Sequence, residues 1–522
     1  MHRQHSSGWI VLFLTTLIGS TLLQAPPALG TAQTHPSTGM PPGIDVAIEQ
    51  LAAASSEATG QPASNAVDGD ATTHWCPGAG TDEAQLTVDL DRLQQLNGTG
   101  VTWVGHAPKR YKVQISVDGR HWRQLSGRRS SGNTLTSFDQ VVERAAPARF
   151  VRLNFSDSTA LPCVAEFRVY ASPPSAAHLI RGADISTLRA LEAAGKSFSD
   201  AAGTRPAERI LADHGMNLVR LRLWVDPPNE FNGLADVAAM ARRIKQANMR
   251  FLLDLHYSDF WADPGHQDTP AAWKEQDLPT LATTVHDYTR SVVSTLVQQG
   301  TPPDIVQIGN EVTAGMLWPV GQLYPPVGPQ RWVEFTTLLK AGIAGAREGA
   351  PRGHTPAIMV HIDRGGDQGG AEWFYDHMRD YGVDYDLIGL SYYLYWHGSL
   401  SDVRRNLDNL AARYGKPIVI VETAYAWTFD DQDGYPNIIG PSIQPPLPPE
   451  YPATPEGQAL FIRDLLSVVA RTPDKLGRGV VYWEPAWIPG VGWEPGAGNA
   501  WDNQTLFDAQ GHTLESVDAM HP

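Results

Sequence analysis

The chain has 522 residues, of which 42% are hydrophobic and 18% are charged, and its formal net charge is −16. This length exceeds one ordinary hydrophobic core and predicts two globular domains with shorter appended segments. The acidic balance argues against a nucleic-acid partner and suits an exported protein that acts on a neutral substrate.

The first thirty residues have the pattern of a secretory signal peptide. Arg3 precedes an apolar stretch from Trp9 to Leu23, and small residues follow as far as Gly30. The stretch is short for a lone membrane anchor, and no later segment is long and apolar enough to span a bilayer. We therefore expect residues 1–30 to be removed and the mature protein to be secreted and extracellular rather than embedded in a membrane.

A Thr/Pro/Gly-rich linker, residues 31–43, leads into a region of short alternating runs, residues 44–171. Turn residues separate these runs, and the Asp118-Gly119 pair indicates a hairpin, so the region is predicted to be an all-β sandwich. Its two cysteines, Cys76 and Cys163, favour a disulfide over two free thiols in an exported protein. Two thiols are too few for a structural zinc site.

A second linker, residues 172–178, precedes residues 179–522, where eight continuous apolar runs alternate with helical stretches. Continuous runs are typical of parallel strands that are buried on both faces. Eight strand–helix units predict a (β/α)8 barrel. The alternative is an open doubly wound sheet, but no Gly-rich phosphate loop follows the first strand. The eight strand segments begin at Arg181, Met216, Met249, Asp304, Ala357, Tyr385, Pro417 and Arg478.

Polar residues follow these strands, and active sites of such barrels lie at the C-terminal ends of the strands. Glycosidic cleavage needs two carboxyl groups that face each other across the sugar. Glu311 ends the fourth strand and Glu422 the seventh, so they are the favoured pair, and Glu484 on the eighth strand is the alternative for either role. Twelve of the sixteen Trp lie in the barrel region, many just past strand ends, which favours a sugar substrate.

A second group of polar residues lies in "FDDQDGYPN", just after the Glu422 strand. Asp431, Asp433 and Asn437 place oxygen ligands at alternating positions, as calcium loops do, and Asp502 is a candidate fourth ligand. From these residues alone, a solvated acidic loop remains the alternative.

The barrel region, from "RGADIS" to "DNQTLFD", resembles glycoside hydrolase family 53, the arabinogalactan endo-β-1,4-galactanases. The shared motifs include "VRLRLWVDP", "LLDLHYSDFWADPGHQ", "QIGNE", "MVHID", "IGLSYY", "VETAY" and "YWEPAWIP". The resemblance implies retaining hydrolysis of β-1,4-galactan in pectin side chains, with Glu311 as acid/base and Glu422 as nucleophile. Glu484 would then contact substrate, and Leu394 departs from the family pattern, where Pro is usual.

The resemblance also implies a substrate-binding set and a calcium site. Asn310 is expected to hydrogen-bond the sugar 2-hydroxyl. The calcium ligands would include Tyr435, where the family has His, and Asn499, where it has Ser, both through backbone oxygen. The implied substrate contacts are Asn310, His256, Asp259, Trp261, Trp318, His361, Tyr392, Trp396, Trp483, Glu484 and Trp487. The implied calcium ligands are Asp431, Asp433, Tyr435, Asn437, Asn499 and Asp502.

The β region resembles the discoidin (coagulation factor C-type) domain and carbohydrate-binding module family 32, through "ASSEATGQPASNAVDGDATTHWC" and "YKVQISVDGRHW". His74, Trp75 and Trp103 are candidate ligand contacts, with core packing of Trp75 as the alternative. We expect a monomer that binds polysaccharide and needs no organic cofactor. The alternatives are a mannan- or xylan-specific enzyme of the same clan, or a non-catalytic protein that binds sugar or a cell surface.

Overall fold

The computed structural model describes residues 40–521, except 106–107, 109, 130–135, 141–145, 157–160, 174–176, 325–327, 352 and 495. The predicted signal peptide therefore lies outside the described residues. Among those residues, no helix combines the length and the apolar character that a membrane span requires.

The N-terminal module is an antiparallel β-sandwich. Its strand order is β1-β8-β3-β7-β4-β5, and β2 and β6 also pair with β3. β3 pairs with β7 on both sides of a register shift between Asp89 and Gln94. Its first part also pairs with β2, and its last part pairs with β8 and β6. The strands are β1 (Ile44–Asp45), β2 (Leu51–Ala54), β3 (Glu83–Val104), β4 (Arg110–Ser116), β5 (Arg123–Arg129), β6 (Thr136–Gln140), β7 (Ala146–Ser156) and β8 (Cys163–Ala171).

The second part of the chain is a closed parallel barrel of eight strands, in the order β12-β13-β14-β17-β18-β19-β20-β9. This confirms the predicted barrel and excludes the open sheet, because β20 pairs with β9 and leaves no edge. The strands of this part are β9 (Ile180–Asp184), β10 (Ser199–Asp200), β11 (Gly203–Thr204), β12 (Leu218–Leu223), β13 (Arg250–Leu255), β14 (Ile305–Ile308), β15 (Gly315–Met316), β16 (Gly321–Gln322), β17 (Ala357–Ile362), β18 (Leu387–Ser391), β19 (Ile418–Thr423) and β20 (Gly477–Trp483).

The helices surround the barrel, and their apolar faces cover its outer wall. The strand–helix repeat predicts an α-helix after β20, the eighth barrel strand. The described chain has a 3-10 helix there instead, Glu515–Met520. The first strand is followed by two short helices instead of one. The helices are α1 (Leu188–Ala193), α2 (Ala207–Asp213), α3 (Leu234–Gln246), α4 (Leu278–Gln298), α5 (Pro329–Gly349), α6 (Gln368–Asp380), α7 (Leu400–Tyr414) and α8 (Pro455–Arg471).

The barrel interior changes from apolar to polar along the strands. Leu218, Leu252, Ile305 and Met359 belong to a buried apolar cluster near the start of the strands. Residues two positions further along a strand face the same side. Those positions hold a second, polar layer, which lies directly beneath the C-terminal ends of the strands: Arg220, Asp254, Gln307 and His361.

Charged contacts join the module to the barrel helices. Arg168 of β8 is buried and donates from Nε and Nη2 to the carboxylate of Asp464 on α8, at 2.8–3.1 Å. The backbone N–H of Asp45 donates to Ser467 on the same helix at 2.8 Å. Arg404 of α7 lies 3.2 Å from the Glu49 carboxylate. These contacts fix the module against α7 and α8.

Candidate active site

A cleft of about 750 Å³ opens at the C-terminal ends of the barrel strands. Glu311 and Glu422 both line it, together with Asn310 and Tyr393. The structure therefore brings the two carboxyl groups that follow the fourth and seventh strands into one cavity.

The backbone after β14 turns sharply to present Glu311. Gly309 has a φ of +79°, and a Cβ there would lie 2.5 Å from Val312, so the position requires glycine. Glu311 itself has a φ of +47°, in the left-handed region that a side chain rarely adopts. Tyr257 and Glu484, which follow two other barrel strands, share this conformation. Such backbone strain persists where the surrounding structure holds it, and it is concentrated at functional sites.

The Glu311 carboxyl lies in surroundings that favour its protonated form. It is buried, and burial, followed by the charges of Glu422 and Asp363, raises its pKa well above the usual value. The Ser391 hydroxyl donates to Oε1 at 2.6 Å and opposes this shift. His361 Nε2 lies 2.8 Å from the same hydroxyl, so Ser391 is held in place from the other side.

The Glu422 carboxyl is held differently, because it has a cationic partner. Its Oε1 lies 2.7 Å from Nη2 of Arg220, and its Oε2 accepts a hydrogen bond from the Tyr393 hydroxyl at 3.2 Å. Burial raises the pKa of Glu422 to about 7, while Arg220 acts in the opposite direction. Of the two carboxyl groups, Glu422 is the one with a positive charge in direct contact. It is therefore the better candidate for the ionised member of the pair.

Arg220 forms the centre of the polar layer beneath the cleft. Its guanidinium reaches Asp184 through Nη1, and Asp254 and Glu422 through Nη2, at 2.7–2.8 Å. Nη2 also donates to Oδ1 of Asn310 at 2.8 Å. The Asn310 Nδ2 donates to the Ala262 carbonyl at 2.8 Å. Arg220 thus fixes the positions of Glu422 and Asn310 at the same time.

About half of the residues implied as substrate contacts line the cleft. Asn310, His256, Asp259, Trp261, Trp396 and Trp483 line it. Trp318, His361, Tyr392, Glu484 and Trp487 do not line the cleft.

The five side chains outside the cleft have other environments. His361 lies beside the Ser391 hydroxyl, as described above, and Glu484 has an arginine partner. Tyr392 is fully buried and donates to the Gly398 carbonyl at 2.9 Å, so the neighbouring Tyr393 takes the place in the cleft that we assigned to Tyr392. Trp318 is half-buried and donates to the Ala314 carbonyl at 3.1 Å. Trp487 is buried and stacks on Trp261 at 6.0 Å, so it supports a cleft residue from behind.

Glu484 is buried and held by an arginine of its own. Nη1 of Arg222 lies 2.5 Å from its Oε1, and the Thr187 hydroxyl donates to the same oxygen at 2.7 Å. Burial raises the pKa of Glu484 to about 7, and Arg222 opposes the shift. The Arg222 guanidinium also stacks over the Trp261 ring at 4.2 Å. Glu484 therefore orders the aromatic wall of the cleft through Arg222, although it does not line the cavity itself.

Several cleft residues are absent from the implied contact set. Arg220 could have been suspected, because a charged residue in an apolar strand needs a partner. Tyr393 and Asp363 could also have been found, since they follow strand ends. Trp493 is one of the tryptophans just past strand ends that favour a sugar substrate, although the implied contact set leaves it out, and Trp501 lies further along the same segment. These additional lining residues are Arg220, Asp363, Tyr393, Trp493 and Trp501.

The profile of glycosyl hydrolase family 53 matches residues 180–520 of the chain. The chain belongs to glycosyl hydrolase family 53. It is therefore a glycoside hydrolase, and the F5/8 type C domain profile matches residues 50–167 of its N-terminal module.

Relatives and solved structures cover the same barrel. An uncharacterised protein of Niallia circulans is 43% identical over 345 residues, which are 65% of this chain and 93% of the relative. A probable arabinogalactan endo-β-1,4-galactanase A of Aspergillus terreus is 40% identical over 327 residues, 61% of this chain and 88% of the relative. The solved family 53 catalytic domain of Ignisphaera aggregans is 36% identical with a TM-score of 0.62, covering 66% of this chain and 96% of that one.

The acidic loop of this family 53 enzyme meets the segment after β20. Carboxylate oxygens of Asp431, Asp433 and Asp502 lie within 4.8 Å of one another. Both carboxylate oxygens of Asp502 and Oδ1 of Asn437 are buried without a well-aligned hydrogen-bond donor. Orphaned buried oxygens are costly unless a cation or water binds them. The donor set is all oxygen, so it fits a hard divalent cation such as Ca²⁺.

Tyr435 and Asn499 can take part in this site only through their backbone. The Asn499 side chain donates to the Trp487 carbonyl and accepts from the Trp501 N–H, so its amide is already engaged. The Asn499 N–H donates to Asp433 at 2.7 Å, which places its backbone beside the carboxylates. The Tyr435 side chain is exposed to solvent.

The module contains a Cys76–Cys163 disulfide between the segment before β3 and the start of β8. Trp75 and Trp103 lie in the core of the module and pack edge-on against Phe155, with ring centroids 5.8 and 5.1 Å away. Neither tryptophan can contact a ligand without a rearrangement of the core. His74 is half-buried, and its Nε2 lies 2.8 Å from Gln61 Nε2.

Proposed function

We propose that this protein is a secreted, retaining endo-β-1,4-galactanase that hydrolyses galactan and arabinogalactan side chains of pectin. The observation that carries the proposal is the pair Glu311 and Glu422, which lie at the C-terminal ends of β14 and β19 and face one cleft. The galactanase names of its relatives support the choice of polymer.

In the first step Glu311 acts as the acid and Glu422 as the nucleophile. The raised pKa of Glu311 keeps a proton available for the interglycosidic oxygen. The ion pair with Arg220 favours the ionised form of Glu422, which attacks the anomeric carbon. The leaving chain departs with the proton from Glu311, and a glycosyl ester on Glu422 remains.

In the second step Glu311 is ionised and accepts a proton from water, which attacks the anomeric carbon and releases Glu422. Asn310 donates one of its two Nδ2 hydrogens to Ala262, so the second can meet a sugar hydroxyl in the cleft. We assign this contact to the 2-hydroxyl of the sugar that reacts.

The two roles can be separated with substrates that differ in leaving group. Glu311→Gln is expected to lose activity on galactan by several orders of magnitude, yet to lose much less on an aryl β-galactoside whose leaving group needs no proton. Glu422→Gln is expected to lose activity on both, because the nucleophile is needed for each. Near-wild-type activity of Glu422→Gln on galactan would refute the assignment, and the opposite pattern would exchange the roles.

The polymer is tested by reducing-sugar release from galactan, arabinogalactan, mannan and xylan. Preferred cleavage of mannan or xylan would replace galactan while leaving the catalytic pair in place. The absence of hydrolysis on all four would favour the non-catalytic, sugar-binding alternative. Secretion and a monomeric state are part of the proposal and are checked by N-terminal sequencing of the exported protein and by sedimentation.

We also propose that a structural Ca²⁺ binds between the two loops that follow β19 and β20. Asp431, Asp433, Asn437 and Asp502 would ligate it through their side chains, and Tyr435 and Asn499 through backbone oxygens. Bound there, the ion would offset two of the three negative charges of the neighbouring carboxylates and supply the orphaned oxygens with a partner. The residues adjoining Asn437 and Asp502 in the chain, Ile438 and Trp501, line the cleft, so the site would hold one wall of the cleft in place.

A further inference from the structure

One exposed aromatic side chain belongs to none of the sites described so far. Among the large apolar side chains that the described part of the chain exposes, three are aromatic: Trp373, Trp396 and Tyr435. Trp396 lines the cleft, and Tyr435 lies in the acidic loop. Trp373 is 37% exposed and lies on α6, on the outside of the barrel. Exposure of so large an apolar ring is unfavourable in water, and exposed apolar groups that cluster together are typical of binding surfaces.

Trp373 belongs to a cluster of four aromatic rings, which we call the outer platform. Three of them, Trp373, His377 and Tyr381, form a row, and the fourth, Trp332, lies beneath it. Trp373, His377 and Tyr381 are spaced by four residues and therefore share one face of α6. Their ring centroids are 5.2 and 6.3 Å apart. At 1.5 Å of rise per residue, the row is about 12 Å long, which accommodates a short stretch of a polymer. Trp332 of α5 is buried beneath the row and stacks on His377 at 4.0 Å.

Hydrogen bonds hold two of these rings, His377 and Tyr381, in fixed orientations. His377 Nδ1 donates to the Trp373 carbonyl at 2.6 Å, and the Tyr381 hydroxyl donates to the Pro329 carbonyl at 3.2 Å. The rings of Trp332, His377 and Tyr381 are parallel to within 24°, and the Trp373 ring is tilted by 58° against His377. A ligand that stacks on such preformed rings loses little free energy in ordering them.

Most charged side chains of α6 are paired with a charge of opposite sign, and Glu372 accepts a hydrogen bond from Gln368. Asp376 accepts from Arg413 at 2.5 and 2.9 Å and lies 3.1 Å from Arg379. Arg379 also lies 3.2 Å from Asp380. Paired charges leave little net field, so the surface suits an uncharged partner better than an acidic one. Flat aromatic rings with a polar rim are the groups that bind sugar rings in carbohydrate sites.

The position of the outer platform relates it to the cleft. In this barrel, α5 and α6 begin at the face where the strands end and the cleft opens. Trp332 lies in the first turn of α5, and Trp373 in the second turn of α6. The platform therefore lies on the barrel wall near the catalytic face, beside strands β14 and β17.

We propose that the outer platform is a second glycan-binding site, which binds a neutral polysaccharide chain outside the catalytic cleft. The identity of the polymer, galactan, rests on the proposed function. Packing between α5 and α6 accounts for the buried Trp332, but it does not require Trp373 to be exposed. A chain held here would remain close to the cleft between cleavage events, which helps on long polymers and makes no difference to short substrates.

The test compares Trp373→Ala with the wild type and with Leu51→Ala, a matched control that removes an exposed apolar side chain from the module. The full chain is used, and circular dichroism verifies that each variant is folded. Stacking on an aromatic ring contributes about 0.5–1.5 kcal/mol, which converts to a 2- to 12-fold change in affinity. We expect KM for galactan to rise by about this factor in Trp373→Ala, with kcat/KM on a short galacto-oligosaccharide unchanged. Affinity electrophoresis in gels that contain galactan should show the same loss of binding.

Three outcomes would overturn this second site. Trp373→Ala could bind and cleave galactan like the wild type and the Leu51→Ala control. It could lose activity equally on polymer and oligosaccharide, which would indicate an effect on the cleft. It could instead change the oligomeric state in sedimentation, which would make the platform a protein–protein contact. If the panel of polymers identifies mannan or xylan as the substrate, the same comparison is made with that polymer, so failure of the platform is distinguishable from failure of the galactanase proposal.

Discussion

The hydroxyl of Ser391 offers a precise test of how the cleft sets the protonation of Glu311. Its O–H donates to the Glu311 carboxylate at 2.6 Å and so favours the ionised form. A hydrogen bond to a charged group contributes about 1.5–3 kcal/mol, and one pKa unit corresponds to about 1.36 kcal/mol. Ser391→Ala should therefore raise the already elevated pKa of Glu311 by about 1–2 units.

The sign of the effect on activity follows from the proposed roles. Glu311 must be protonated in the first step, so its pKa sets the alkaline limb of the kcat/KM profile. Ser391→Ala should move that limb to higher pH by about 1–2 units. The acid limb depends on ionisation of Glu422, which Ser391 does not contact, and should stay in place.

The assay is the pH dependence of kcat/KM on soluble galactan for the wild type and two variants. Ser391→Thr keeps a hydroxyl and should retain the wild-type alkaline limb, so it serves as the matched control. An alkaline limb that stays fixed in Ser391→Ala, or moves to lower pH, would refute the reasoning. A shift of the acid limb alone would show that Glu311 is not the acid.

Two further predictions concern stability. Arg168→Met should lower the free energy of unfolding by about 3–5 kcal/mol in urea titrations, because Asp464 is left as a buried charge without its cationic partner. The double variant, Arg168→Met with Asp464→Leu, should lose much less of the free energy of unfolding. Additive losses in that double variant would contradict the buried ion pair. Removal of calcium should lower the melting temperature of the wild type, and Asp433→Ala should abolish this dependence. The exposed neighbour Asp430, replaced by alanine, should leave the dependence unchanged, and an equal effect of both variants would argue against the assigned ligands.

Much of the fold follows from local patterns in the sequence. Apolar runs followed by polar residues identified all eight barrel strands, because strands buried on both faces need apolar side chains along their whole length. The segment around α4 has apolar residues at helical spacing, which predict a helix: Leu281, Val285, Tyr288, Val292 and Leu296. Four of these side chains are buried in the structure, and Tyr288 is half-buried. The eighth repeat was the exception, since a 3-10 helix stands where a helix was expected.

The sequence also favoured Glu311 and Glu422 over Glu484 as the carboxyl pair, since each lies at the end of an apolar strand in a barrel, and the family resemblance supported that choice. Both side chains line the cleft. The sequence could not decide which neighbour of a strand end faces the cleft. Tyr392 was chosen, but Tyr393 lines the cavity. Side chains two residues apart on a strand face the same side. Tyr393 is therefore expected to face the same side as Leu387, Gly389 and Ser391, and it would have been chosen if that side had been known to be the inner one. In a parallel barrel both faces are apolar, so the pattern does not show which is inside.

The partners of the polar layer were decided only by the tertiary structure. Arg220 contacts Asp184, Asp254 and Glu422, and these four residues come from four different strands. The sequence does not show which of these charges meet. The protonation of the proposed catalytic pair depends on these contacts, because burial raises the pKa of both carboxyl groups and only Glu422 has Arg220 in direct contact. Residue type and strand position thus determined which groups could react, and closure of the barrel determined the charge each of them carries.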